Sequence, residues 1–194
     1  MMKMKIYHFD GCGGCQLAIM GMQHDMLQLF ELVQLITDNH KNEQVDIGLV
    51  IGHYTEGMIK NILGCCDKLL IIGACAHQSY TAIHETLGIE EERLYFVKGC
   101  PLSVDELIHV IHCIINGVRP KEKNYPVCVS CKENENICLL LKGMPCKGPI
   151  TQAGCHAKCI GKGVPCRGCR GLLKDARLDV YETIKENVAE GMKG

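Results

Sequence analysis

Residues 68–75 read Lys-Leu-Leu-Ile-Ile-Gly-Ala-Cys (KLLIIGAC), and the reading of this stretch decides the fold. Its apolar run is short, is closed by Gly73, and delivers Cys75 just beyond; this is the pattern of a buried strand. The same arrangement recurs along the chain. Residues 3–9 (KMKIYHF) form a strand-like segment ended by Asp10-Gly11 and followed by Cys12 and Cys15. Residues 93–98 (RLYFVK) form another, followed by Gly99-Cys100-Pro101, and residues 45–51 (VDIGLVI) read as a further buried strand. Helical segments fall between them. One is expected over 16–38, where Leu27, Phe30, Leu32, Val33 and Ile36 lie roughly at helical spacing. A short helix is expected over 56–64, another near 79–87, and a last one from a Ser103 cap, with Glu106 at the capping-box position, to about Asn116. Strand and helix alternate four times, which predicts an α/β fold: a flavodoxin-like parallel sheet with helices on both faces.

The character changes after residue 118. The segment RPKEKNYP (119–126) carries two prolines and mixed charge and reads as a linker. Residues 126–171 show no sustained period, and Gly, Pro and Cys dominate. Such a stretch cannot bury enough apolar surface to fold alone, so metal is expected to hold it. Residues 172–190 read as an amphipathic helix with Leu173, Val180, Ile184 and Val188 on one stripe, packing on the body or on a partner. The expected organisation is a flavodoxin-like domain over 1–118, a small irregular C-terminal domain over 126–171 and a C-terminal helix over 172–194.

Cysteine is the outlier of the composition, 15 in 194 residues. That usage means disulfides in a secreted protein or metal ligation in a cytosolic one. The N-terminal MMKMKIYHFD has no apolar signal region and no twin arginine, so a cytoplasmic chain with reduced thiols is expected. No uncharged apolar run approaches the roughly 18 residues of a membrane span. The net charge of −1, the absence of Trp and only 5% aromatics argue against a nucleic-acid partner.

In a parallel sheet the C-terminal ends of all strands lie along one edge. Cys12, Cys15, Cys75 and Cys100 each follow a strand, so four thiols far apart in sequence can converge on one crevice. An iron–sulfur cubane needs four thiolates around one site. Zinc would also accept four thiolates, and spacing alone does not separate the two. Further on the order is Cys128-x-x-Cys131, Cys138, Cys146, Cys155, Cys159 and Cys166-x-x-Cys169, enough for two more tetrathiolate sites. A half-repeat is visible in Gly-Met-Pro-Cys-Lys-Gly (143–148) and Gly-Val-Pro-Cys-Arg-Gly (163–168). Residues 126–171 carry seven basic side chains (Lys132, Lys142, Lys147, Lys158, Lys162, Arg167, Arg170) and two acidic ones (Glu133, Glu135). Two all-thiolate cubanes carry about −4 when oxidised, and a basic shell offsets that charge. The competing reading is a zinc ribbon binding nucleic acid through the basic patch, but no DNA-reading helix accompanies the cysteines. Cys65, Cys66 and Cys113 stand in apolar surroundings and read as core thiols. Glu56, His77 and His156 are candidates for supporting positions beside a thiolate site.

The combination of C-x-x-C (Cys12, Cys15), Glu56-Gly57, Gly73-x-Cys75 and Gly99-Cys100-Pro101 resembles the small subunit of [NiFe] hydrogenases, and also the related cluster-bearing subunit of respiratory complex I. The CGGC spacing favours the hydrogenase branch, because the complex I branch has adjacent cysteines in its first motif. The resemblance implies three [4Fe-4S] clusters. Cys12, Cys15, Cys75 and Cys100 would hold the proximal one. By order, Cys128, Cys131, Cys138 and Cys146 would hold the distal cluster, and Cys155, Cys159, Cys166 and Cys169 the medial one. Crossed sharing, as in two-cluster ferredoxins, stays open. Cys128 stands where many relatives have His, and Cys159 supplies a fourth medial thiol. The implied partners are a large subunit carrying the nickel–iron site and a further redox subunit of diaphorase, heterodisulfide-reductase or ferredoxin type. The implied role is electron relay, with no catalytic residue on this chain; a related complex I-like electron carrier is the alternative, and a structural zinc protein the alternative of another class.

Overall fold

A computed structural model describes residues 1–21, 31–37 and 43–191. The chain divides into two compact units, Met1–Pro120 and Lys121–Gly194.

The first unit is built on five parallel strands: β1 (Met2–His8), β2 (Val33–Ile36), β3 (Val45–Ile51), β4 (Cys66–Ile72) and β5 (Leu94–Val97). Their order across the sheet is β2-β1-β3-β4-β5, the flavodoxin-like arrangement, with the strand order reversing between β1 and β3. Among the described residues its helices include α1 (Gly14–Met20), α2 (Glu56–Leu63), α3 (Gly73–Leu87) and α4 (Val104–Ile115). β4 shows why the run LLII has no polar alternation. Leu70 and Ile72 pack with Leu107, Val110, Ile111 and Ile114 of α4 on one face. Leu69 and Ile71 pack with Ile59, Ile62 and Ala76 from α2 and α3 on the other. Both faces are covered, so every residue from Leu69 to Ile72 buries apolar surface, each large side chain worth about 1.5–3 kcal/mol. Val45 pairs with Cys66 and Ile51 with Ile72, so the central strands end together at their C-terminal edge.

In the first unit three expectations change in whole or in part. Val33–Ile36 is a strand paired with Met2–Lys5, not the end of a helix over 16–38. The segment Leu32–Ile36 satisfies a helical stripe, but the free flank of β1 offers a full ladder of backbone hydrogen bonds, and that pairing wins. Leu27 and Phe30 lie outside the described residues. The helix after KLLIIG starts at Gly73 itself, so Cys75 sits in its first turn. Ser103 is the N-cap residue of α4, as expected, in extended geometry, but its side chain makes no capping bond; its carbonyl accepts the Leu107 N–H.

The second unit contains short helices α5 (Val127–Glu133) and α6 (Lys158–Gly161) and the longer α7 (Leu178–Gly191). Irregular chain makes up most of the rest. Its core is Val127, Cys131, Leu139, Leu140, Cys146, Ala157, Ile160 and Cys166, three of eight being cysteine. α7 begins later than residue 172, and its apolar stripe is not what anchors it. Val180 and Ile184 are exposed, while Tyr181 is buried beside the Cys146 and Cys166 thiols.

Candidate iron–sulfur sites

The backbone brings the first four cysteines to the C-terminal edge of the sheet. Cys12 and Cys15 lie in and after the turn that leaves β1, and Gly13 caps α1 at φ +74°. Cys75 stands in the first turn of α3, where the helix dipole favours a thiolate. Cys100 follows β5 and is joined to Pro101 by a cis peptide. Gly99 accepts the Ala74 N–H at 2.8 Å, tying the β5 turn to the start of α3. Gly73 marks the tightest approach: at φ +82°, a Cβ there would stand 2.6 Å from Cys15 Sγ. Burial pushes the Cys15 thiol above its ordinary value. A backbone N–H···S bond from Leu102 opposes that rise, and the nearby Cys100, Cys75 and Cys12 thiols add to it. The four predicted sulfurs therefore share one electrostatic neighbourhood around Cys15.

In the second unit the cysteines are presented by a repeated turn. At the end of α5 the Asn136 N–H reaches Cys131 O at 3.0 Å and the Glu135 N–H reaches Lys132 O at 2.9 Å. This is a Schellman closure, with Glu135 in the left-handed region at φ 54°. The pattern returns with Met144 N–H to Leu139 O and Gly143 N–H to Leu140 O, and with Val164 N–H to Cys159 O and Gly163 N–H to Ile160 O, each 2.8–2.9 Å. Gly143 and Gly163 both have φ 74°. In all three turns a cysteine follows the left-handed residue by three positions: Cys138, Cys146 and Cys166. The half-repeat in the sequence is thus a chain reversal that aims a thiol.

These turns assemble one clear quartet. Burial pushes Cys128 up to about 11, and the thiols of Cys146, Cys131, Cys138 and, last, Cys166 add to the effect. Gly148 lies between two of the sulfurs; a Cβ there would be 3.2 Å from Cys128 Sγ and 3.5 Å from Cys146 Sγ. Cys131 is raised by burial, lowered by the Asn136 side chain, and raised by Cys138 and Cys146. Cys166 is raised by burial, held back by the Gly168 backbone and the Thr151 hydroxyl, and raised by Cys146 and Cys155. Its N–H donates to Cys146 Sγ at 3.3 Å, while its carbonyl accepts the Lys147 N–H at 2.9 Å, so the Cys146 and Cys166 turns lie side by side. Cys159 is exposed on α6, and Cys169 is partly buried next to Arg170. Arg170 is 3% exposed and donates from Nε to Ala153 O, a buried cation within the cysteine-rich unit.

No family model matches the chain. The Sulfhydrogenase 2 subunit delta of Pyrococcus furiosus is 30% identical over 220 residues, covering 95% of this chain and 93% of that one. The chain belongs to the hydrogenase small-subunit family. A second relative, from the vhu F420-non-reducing hydrogenase of Methanocaldococcus jannaschii, is 36% identical over 44% of this chain and 36% of its own. The fold is shared with a solved chain of the reduced, active Ni-Fe-Se hydrogenase from Desulfomicrobium baculatum, with a TM-score of 0.60 over 95% of this chain and 98% of that one, at 14% identity. As a hydrogenase small-subunit homologue, the chain is one component of an oxidoreductase complex, and its 15 cysteines agree with iron–sulfur ligation. No helix among the described residues is long and apolar enough to cross a membrane.

The residues present fit such clusters. Asn136 Nδ2 is buried without a hydrogen-bond acceptor, although the amide lies near the Cys131 sulfur. A cluster sulfur would supply the missing acceptor.

Three further candidates make contacts of their own. Glu56 pairs with Lys60 at 2.5 Å on the solvent side of α2, and that bond holds its carboxyl below the usual range. His77 packs its ring edge on Phe96, centroids 5.6 Å apart. His156 accepts the Asn134 side-chain N–H through its backbone carbonyl. Cys66 is a buried core thiol, and Cys113 Sγ lies 3.7 Å from His109 Nε2 within α4. Sequence reasoning missed Asn136, Thr151 and Tyr181. Only Tyr181 carried a signal, an aromatic residue on an otherwise aliphatic stripe.

Proposed function

We propose that this chain is the electron-transfer small subunit of a [NiFe] hydrogenase, cytoplasmic, and that it relays electrons between a large-subunit nickel–iron site and an external acceptor. Three [4Fe-4S] clusters would be held here: the proximal by Cys12, Cys15, Cys75 and Cys100, the distal by Cys128, Cys131, Cys138 and Cys146, and the medial by Cys155, Cys159, Cys166 and Cys169. When bound, the clusters supply one-electron redox chemistry at potentials set by burial, charge and hydrogen bonds to sulfur. The observation that carries the reading is the shared neighbourhood of Cys12, Cys75 and Cys100 around Cys15, in a chain of this family.

The chain's own residues set the conditions. Each thiol would lose its proton on becoming a ligand, and burial raises the cost of that loss at Cys15 and Cys128. The Leu102 N–H on Cys15 and the Gly168 N–H on Cys166 then stabilise thiolates. Arg170 and the lysines of the second unit offset cluster charge. Partners of diaphorase, heterodisulfide-reductase or ferredoxin type fit the external acceptor.

Metal analysis of the purified native complex tests this. Iron and sulfide matching three cubanes in this chain, with nickel in the complex and hydrogen-dependent dye reduction, is the expected result. Zinc in place of iron overturns the cluster reading. Iron without nickel, and without dye reduction by hydrogen, overturns the hydrogenase role and leaves a complex I-like electron carrier.

A further inference from the structure

Asn136 breaks the rule of the turn it occupies. In a Schellman closure the residue after the left-handed position is commonly apolar and packs back on the helix end. The two equivalent positions here are Met144 and Val164. At the first turn the same position is an amide, and its Nδ2 is buried with no acceptor. A buried donor left unmade is costly, and local rules broken without visible compensation mark functional positions. The amide is held from both sides. Its own backbone N–H is bonded to Cys131 O, and Gly161 of α6 closes on it, since a Cβ at Gly161 would lie 3.3 Å from Asn136 Oδ1. The neighbouring Asn134 bonds His156 O at 2.8 Å, fixing the turn against the segment that leads into α6.

We propose that Asn136 is a potential-setting residue: its side-chain N–H donates to a sulfur of the cluster held by Cys128, Cys131, Cys138 and Cys146, and thereby raises that cluster's reduction potential. The inference rests on the cluster assignment above. Reduction adds one electron and places more negative charge on the sulfurs, so an N–H donor favours the reduced state. The matching positions Met144 and Val164 offer no such donor, so the effect belongs to one cluster of the second unit.

The test is a potentiometric titration followed by electron paramagnetic resonance on the native complex with Asn136→Val, the residue found at the third turn. Iron content should be unchanged. At the potential where the wild-type cluster is half reduced, the ratio of reduced to oxidised cluster should fall about tenfold, equal to about 59 mV for one electron. The other signals should not move. An unchanged midpoint with full iron overturns the proposal. Should Asn136→Val lose iron, Asn136→Asp keeps the size and replaces the donor with an acceptor; it too must lower the midpoint, and no shift refutes the idea. A wild-type complex with no cluster signal from this chain would instead refute the cluster assignment, so the two failures are distinguishable.

Discussion

Gly73→Ala is the sharpest single test of how the first cysteine site is built. The substitution adds one methyl group in a buried position at φ +82°. An L-residue in the left-handed region costs about 1–2 kcal/mol. The new Cβ would stand 2.6 Å from Cys15 Sγ, whereas carbon contacts rest near 3.5–4.0 Å. The sulfur must therefore retreat by roughly an ångström, and overpacking of that kind costs about 1–3 kcal/mol. Together the loss is about 2–5 kcal/mol, a large part of a domain's typical stability of about 5–15 kcal/mol. At roughly 4 °C per kcal/mol the melting temperature falls by about 8–20 °C. The displaced sulfur is a proposed ligand, so iron bound by the chain should fall by roughly a third, the share of one cubane in three. Differential scanning calorimetry and iron analysis on the purified complex read the two effects. Gly57→Ala is the control, because a Cβ there meets nothing within 4 Å inside α2. It should raise stability by about 0.5–1 kcal/mol. A Gly73→Ala protein with full iron and a melting temperature within two or three degrees of wild type would refute the claim that this glycine makes room for the Cys15 sulfur.

Cys66 gives a pH dependence of defined sign. Burial raises its thiol from 9.0 to about 11, so between those values the unfolded chain ionises while the folded one keeps its proton, and stability falls as pH rises. The contribution is on the order of 3 kcal/mol; chemical denaturation at pH 8.5 and 11 should show a steeper loss in wild type than in Cys66→Ala, and equal slopes would sink the argument. Glu135 carries the left-handed φ of its turn without being glycine. Glu135→Gly should stabilise the second unit by about 1 kcal/mol, seen as a higher unfolding midpoint in denaturant; a lower midpoint would show that the carboxylate does something the turn geometry hides.

The sheet was legible because its central strands are buried on both faces. LVI in β3 and LLII in β4 leave no polar alternation to confuse with a surface strand, and each ends at a glycine turn. β2 was not legible. Four residues, VQLI, at the sheet edge fit a helical stripe as well as a ladder, and only the presence of β1 as a partner decides between them. Convergence of Cys12, Cys15, Cys75 and Cys100 could be read from topology alone, since parallel strands share one C-terminal edge. The cysteine-rich half was legible as a half-repeat, yet only two of its three turns show Gly-x-Pro-Cys. The third uses Glu135, and nothing in the letter pattern announces a left-handed glutamate. The terminal helix misled because its stripe of Val and Ile outweighed one tyrosine, while the phenol ring of Tyr181 is the surface that is buried.

The two units solve the problem of stability differently, and the turn repeat explains the second solution. In the first unit the side chains packed on both faces of the sheet are mostly aliphatic, with Tyr54, Cys66 and Tyr95 among them, and two of its proposed ligands, Cys12 and Cys100, are exposed. That core does not depend on what the thiols bind. In the second unit three of the eight core residues are proposed ligands themselves. The other five residues of that cluster, with Ile150, Ala153 and Tyr181 buried beside them in the unit, cannot order some seventy residues of mostly irregular chain. Each Schellman turn needs only a few residues and two backbone bonds, and it places a thiol three positions on with its direction fixed. A series of such turns converts short-range backbone geometry into a convergent set of sulfurs without long helices or strands. Metal–thiolate bonds at the proposed ligands would then supply the cohesion that burial does not. On this view the Gly and Pro that make residues 126–171 look unstructured are the means by which the ligands are aimed, and the cluster proposed to sit among them is the missing part of the core.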